Sequence, residues 1–338
     1  MERKTRRSVY LDLNHWYALG EALANTPQEP GHKDALDLLV HLVEQGEIIL
    51  PLSTVTYMEL AENPRDHLRE KAAKAMVLLS RFTTMGPTGK TLDAELAQAF
   101  HQRFGRPAFP TRTPGFGFGA GHAFGEPFNF RLKGGTEQDR TRLEQQLGHS
   151  VAQWEAQINA WAEYQLLVQP PAGMRAQIPN YNAYAARDVA ERQLASFNVM
   201  VNALRTNPEV AARPLDAICA RQFYYDFPDN YARAMRGAGF VDRQPFTGKE
   251  EFMGFLMALP SRRVTTMMQF HYLKDVDRDW KINDLRDIGA LAVAIPYCDV
   301  VATDGKAWDT AVNRAHLDRE FGTAIFKRLS DVVKHLTR

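Results

Sequence analysis

Apolar positions recur along the chain with two alternating periods, and that alternation sketches a fold before any composition is counted. Residues 8–13 (SVYLDL) repeat at period two and read as a short strand, after which the pattern turns helical through Leu23. Leu36, Leu39, Val40 and Val43 fall at helical spacing over 34–44, and Gly46 stands where a helix-terminating glycine is expected. The run EIILPL over 47–52 predicts a buried strand. Ser53 or Thr54 then caps a helix carrying Tyr57, Met58, Glu59 and Leu60, and a further helix runs on to Leu79. This β-α-α-β-α-α order is the grammar of a parallel α/β sheet.

The grammar changes over 84–260, where no strand is expected and helical stretches are read at 92–104, 137–167, 181–204, 209–235 and 250–259. A Gly/Phe/Pro-rich stretch over 105–135, containing GFGFGAGHAFGEPFNF, reads as a long loop. From Arg262 the α/β pattern returns: a helix to Lys274, a helix over 284–295, a strand over 300–303, a helix around Trp308, a strand over 323–327 and a terminal helix. Parallel strands need crossover connections, so one crossover can hold an insertion without breaking the sheet. The expected organisation is therefore an α/β, parallel-sheet core made by residues 1–83 and 261–338, around an all-helical insertion at 84–260.

Composition narrows the classes. With 45% apolar and 24% charged residues the chain reads as globular, and its longest uncharged apolar run near the C-terminal end, 290–295, is far short of a membrane span. Cys219 and Cys298 stand far apart, which supports neither a disulfide framework nor a zinc knuckle. The basic residues of 3–7 lead into Asp12, Asn14 and His15 instead of an apolar signal segment, so a cytoplasmic protein is expected. Forty-one Lys and Arg balance forty Asp and Glu, which removes overall basicity as an argument for nucleic-acid binding.

Ligands of open parallel sheets gather beyond the carboxyl ends of the strands, so acidic residues at those ends carry the chemical interest. Asp12 ends the first strand (YLDLN), Glu59 follows the second (STVTYMEL), Asp287 opens a helix (NDLRDIGALAVAI), and Asp304 ends the strand VVATD. Each acid alone has a bland reading as a helix-terminal, turn or solvated residue. Two other motifs stand nearby. TMGPTGKT over 84–91 approaches the phosphate-cradling GxxxxGK[ST], with Lys90 and Thr91 in the last two places, but Thr84 replaces the first glycine and the preceding segment reads helical. His15 and Trp16 directly follow the DLN segment and could border the acids, packing being the first reading for Trp16, and His271 reads first as a core or helix-surface residue. The Phe/Gly stretch could stack unpaired bases, dock a partner or simply connect.

Taken in order, the four acids resemble the PIN-domain nucleases. That family's pattern is a strand ending in Asp-x-Asn (Asp12, Asn14), a Glu on the helix after the second strand (Glu59), and an Asp opening an Ala-rich helix (Asp287, with Ala290, Ala292 and Ala294). It closes with a strand ending in Thr-(x)-Asp, matched by Thr303 and Asp304 without the intervening residue. The resemblance spans residues 8–82 and 262–338 and says nothing of the insertion. It implies a metal-dependent nuclease, an endoribonuclease before a deoxyribonuclease, in which Asp12, Glu59, Asp287 and Asp304 hold Mg²⁺ or Mn²⁺. Asn14, Asp284 and Thr303 would support them. Clustered carboxylates suit such chemistry because a divalent metal activates water and offsets the charge of a phosphodiester, and all-oxygen ligands favour Mg²⁺ or Mn²⁺ over zinc. Arg262, Arg263 and the basic residues 3–7 are candidate phosphate contacts or solvated charge. The competing expectations are a nucleotide-binding protein using Lys90 and Thr91, and a noncatalytic PIN-like scaffold whose insertion binds a protein partner.

Overall fold

The computed structural model describes residues 6–338 except 114, 127–128, 176, 178–181, 183–184, 242–244 and 276–277. The chain is mixed α/β and mostly helical. Its strands are β1 (Arg7–Leu11), β2 (Ile48–Ile49), β3 (Thr83–Met85), β4 (Phe116–Phe118), β5 (Val300–Ala302) and β6 (Ala324–Phe326). Four of them form an all-parallel sheet in the order β2-β1-β5-β6, in which Leu11 lies opposite Ala302, and Ala302 opposite Phe326. Ser8 fastens the start of this register: its backbone N–H and Oγ both donate to Asp299 Oδ2, at 2.6 and 2.8 Å.

Side-chain alternation explains why both sheet faces are covered. Val9, Leu11, Val300 and Ala302 point into one core, shared with α1 (Leu13–Leu23), α2 (Gly31–Glu44), α4 (Asp66–Ser80) and the terminal helix Leu329–Leu336. Tyr10, Val301 and Ile325 point into the other, against the helices Pro260–Leu273 and Ile282–Tyr297. Near-continuous apolar strands buried on both faces are what an all-parallel sheet requires. Helices α1 and α4 approach so closely that a Cβ at Gly20 would stand 2.7 Å from the Lys71 backbone, so only glycine fits there. Trp16 is fully buried in the same layer and donates from Nε1 to the Leu11 carbonyl at 3.0 Å.

The stretch 84–260 departs from the all-helical expectation. Met85 closes β3, and β4 pairs with β3 antiparallel inside the Gly/Phe segment read as a loop; the short helix Gly119–Phe124 follows directly. The hairpin hooks onto the chain after β2, with Leu52 N–H donating to Thr83 O at 2.9 Å and Met85 N–H to Leu52 O at 2.8 Å. The glycines have a steric reason. Gly119 has φ +76°, and a Cβ there would stand 2.2 Å from Glu163 Oε1, whose carboxylate accepts from Ala120 N–H. Two predicted helices are divided. Gly148, at φ +72°, separates Glu137–Leu147 from Val151–Val168, and prolines open Pro208–Ala211, Pro214–Arg221 and Pro228–Gly237. Tyr181, expected to begin a helix, lies outside the described residues; the helix there is Ala185–Thr206. Residues of this stretch join all three apolar cores, including a Phe-rich one around Phe100, Tyr231 and Phe255. Among the described residues no helix is long and apolar enough to cross a membrane.

Candidate functional site

Strand order locates the site. From β1 the chain crosses to β2 on one side, whereas β5 lies on the other side of β1, so the connections diverge between β1 and β5 and open a crevice at their carboxyl ends. Asp12 follows β1 directly and Asp304 comes two residues after β5. Asp12 N–H donates to Ala302 O at 2.9 Å, which ties the two strand ends together.

Both aspartates are also helix caps, which fixes one oxygen of each. Asp12 Oδ1 accepts from Leu13 N–H at 2.8 Å, and Asp304 Oδ1 accepts from Lys306 and Ala307 N–H at 2.7 and 2.8 Å. Glu59 comes from α3 (Thr54–Glu62), whose start is set by a reciprocal cap between Ser53 and Thr56. Asp287 comes from the second turn of the Ile282–Tyr297 helix. These two helices are clamped together by a fork: Arg286 Nη1 and Nη2 donate to the two Glu62 oxygens at 2.9 and 2.5 Å, both side chains being nearly buried. Glu62 is one turn from Glu59 and Arg286 adjoins Asp287, so the fork positions the two acids.

A cavity of about 490 Å³ takes Asp12, Asn14, Glu59, Asp284, Asp287 and Asp304 into one wall, with Tyr17, Arg65 and Arg187 beside them. Six carboxylates line it among the described residues, and two are already engaged. Glu62 holds Arg286. Asp284 accepts from Arg278 at 2.5 Å and from Lys281 N–H at 2.8 Å, a capping and ion-pairing role at the helix start. Asp12, Glu59, Asp287 and Asp304 have no ion-pair partner among the described residues. Electrostatics registers their proximity. Burial raises Asp12 to about 6, Leu13 N–H opposing and Asp304 adding to the rise. Burial and Asp12 raise Glu59 to about 7 against the pull of Arg286. Burial, then repulsion from Asp12, Glu59, Asp304 and Asp284, raises Asp287 to about 9.

The other sequence candidates fall as follows. Thr303 is buried, and its N–H donates to Phe326 O at 3.0 Å. Its backbone bonds the ring of His15, which burial holds neutral by lowering it to about 4. Arg262 and Arg263 do not line the acid cavity: Arg262 is buried over the Phe227 ring at 4.5 Å, and Arg263 pairs with Glu320 at 2.9 Å. Of the basic residues 3–7, Arg3 and Lys4 lie outside the described residues, and Arg7 donates to Leu336 O at the opposite end of β1 from Asp12. The segment before the GxxxxGK[ST]-like motif is helical as expected, α4 running to Ser80, and β3 overlaps the first two residues of the motif; no phosphate cradle forms. The helix Thr88–Phe104 begins two residues after β3, which places Gly89, Lys90 and Thr91 inside it, and Thr91 is buried. Sequence reasoning missed Arg65, Arg187 and the Glu62–Arg286 fork; the i, i+3 spacing of Glu59 and Glu62 was the available signal for the last.

Among the described residues, no three His, Cys, Asp or Glu side chains are grouped tightly enough to ligate one ion together as they stand. The donor set is nonetheless all oxygen, and Mg²⁺ characteristically keeps several waters and takes only one or two carboxylates directly. The chain matches no protein-family model, no curated protein and no solved structure.

Proposed function

We propose that the chain is a divalent-metal-dependent nuclease with a PIN-like core, hydrolysing phosphodiester bonds of RNA in preference to DNA. The observation that carries this reading is the convergence of four carboxylates without an ion-pair partner among the described residues, from four distant segments, at the switch point of a parallel sheet. Carboxylates this mutually repulsive are destabilising unless a cation or protons offset them, and an open polar cleft is where such a cost serves chemistry. Asp12, Glu59, Asp287 and Asp304 would hold Mg²⁺ or Mn²⁺, which supplies water activation and charge offset when bound. Asp12 and Asp304 each keep one carboxylate oxygen clear of their capping bonds, and the caps fix their direction. Exposed Asn14 offers an amide at the mouth, and Arg65 and Arg187, the latter also paired with Glu191 at 3.0 Å, are cations of the lining that can contact a phosphate backbone. A near-neutral chain with its cations placed locally fits a substrate bound at one cleft.

The test incubates labelled RNA and single-stranded DNA with the protein in Mg²⁺, Mn²⁺ or EDTA. Cleavage is expected only with metal, and Asp12→Asn and Asp304→Asn each remove it, because an amide keeps the side-chain shape but not the charge. Cleavage that survives EDTA or Asp304→Asn overturns the proposal.

A further inference from the structure

A second cavity, of about 450 Å³, lies against another face of the Ile282–Tyr297 helix, lined there by Leu285, Ile288 and Gly289. We propose that it is a binding site for the phosphate monoester of a nucleotide. The proposal does not rest on the acid cavity being catalytic.

Arg262 is the central observation. It is 2% exposed, yet its one hydrogen bond is a long one, from Nε to Ser261 Oγ at 3.4 Å, and neither Nη atom has an acceptor among the described residues. A guanidinium carries five donors, and a buried charge without acceptors is costly unless something else supplies them. The acids nearest it, Glu95 and Asp226, offset its charge but accept no hydrogen bond from it, because their oxygens are taken up by other donors. Glu95 accepts from Ser261 N–H, Ser261 Oγ and Tyr297 Oη at 2.9, 2.6 and 2.8 Å, and Asp226 pairs with Arg221 at 3.0 Å. Two turns along the same helix face, Gln269 is 5% exposed and its Oε1 has no partner. At the rim, exposed Arg192 has no ion pair among the described residues. The lining thus holds three guanidinium groups, Arg192, Arg221 and Arg262, against one carboxylate, Asp226.

A phosphate monoester answers this arrangement: its oxygens accept from the Arg262 fork and from Arg192 together, and in its monoprotonated form the P–OH donates to Gln269 Oε1. Tyr225, 74% exposed at the mouth, presents a free ring on which a base can stack, which favours a nucleotide over the bare ion. The Ala185–Thr206 helix supplies Arg187 to the acid cavity and Arg192 to this one. The phosphate can therefore belong to a free mononucleotide or to the end of a nucleic-acid strand.

Isothermal titration of the full chain in EDTA separates these outcomes, using inorganic phosphate, adenosine 5′-monophosphate, and one short oligonucleotide with and without a terminal phosphate. We expect phosphate to bind weakly and the monophosphate at least tenfold more tightly. Arg192→Ala, at an exposed position, and Gln269→Glu should each weaken binding at least fivefold, and Asp304→Asn should leave it within twofold. An oligonucleotide that binds only when phosphorylated identifies a strand end; binding of the mononucleotide alone identifies a free nucleotide. The proposal fails if neither phosphate nor the monophosphate binds. It also fails if binding is unchanged in the folded Arg192→Ala protein, or if it is lost in Asp304→Asn.

Discussion

Asp287→Asn should stabilise the metal-free protein, by an amount that grows with pH. The carboxyl of Asp287 stands near pH 9 in the folded chain against 3.8 ordinarily, through burial and the repulsion of Asp12, Glu59 and Asp304. A native state with raised carboxyl pKa values holds protons that the unfolded chain releases, so wild-type stability falls as pH rises from about 4 towards 9. Over the roughly three pH units between 3.8 and pH 7 the unfolded group is ionised while folded Asp287 keeps its proton. At about 1.4 kcal/mol per pH unit this is a ceiling on the order of 4 kcal/mol, and it is much smaller at pH 5, only about one unit above 3.8. An amide of the same shape removes this pH-dependent cost. Because the repulsion is shared among several acids, we expect a gain of about 2 kcal/mol at pH 7 and well under 1 kcal/mol at pH 5. Urea denaturation in EDTA at both pH values measures it. A variant that is less stable than wild type at pH 7, or a gap identical at the two pH values, would refute the reasoning. Saturating Mn²⁺ should reverse the order, since the ion stabilises only the state that binds it.

Three further outcomes follow from the same contacts. Glu62→Gln breaks the fork to Arg286, a guanidinium only 8% exposed, and should cost about 3 kcal/mol in urea denaturation; a loss below about 1 kcal/mol would mean that the fork does not clamp the two helices. Gly119→Ala places a side chain at φ +76° and against Glu163, and should cost about 2 kcal/mol, read as a lowered denaturation midpoint; an unchanged midpoint would contradict the steric account. Arg65→Ala and Arg187→Ala should each weaken RNA binding several-fold in fluorescence anisotropy and flatten its salt slope by about 0.7; an unchanged slope would remove them from the phosphate path.

The parts of this fold that could be read from the sequence are those whose local signals agree with their burial. β1, α1 and α2 show clear periodicity, Gly46 at φ +69° stands where the pattern of α2 stops, and Asp12 and Asp304 lie next to recognisable strands. Segments whose signals conflict with their structure were lost. β3 is three residues long and held by β4 and by the backbone of Leu52, so no periodicity could reveal it. β4 reads FGF, where glycine argues for a loop; Gly117 is needed because His122 packs against it, and the neighbouring Gly119 because Glu163 does, contacts that the local pattern does not show. Arg262 looks like surface charge until Phe227 and its helix bury it. The acid cluster was legible as a set of acids, but not the sorting among them: only structure shows Asp284 tied to Arg278 and Glu62 tied to Arg286, leaving four without an ion-pair partner among the described residues.

Whether those four carboxylates take a divalent cation decides the proposed function. Crystals grown in EDTA and then soaked in Mn²⁺ at pH 8 give the most direct measurement, since manganese announces its position by anomalous scattering. We predict an anomalous peak in the cleft at the ends of β1 and β5, bounded by Asp12, Glu59, Asp287 and Asp304, and absent from an Asp304→Asn crystal soaked in parallel. A cleft without manganese while the ion occupies other sites, or a peak of equal height in Asp304→Asn, would contradict it.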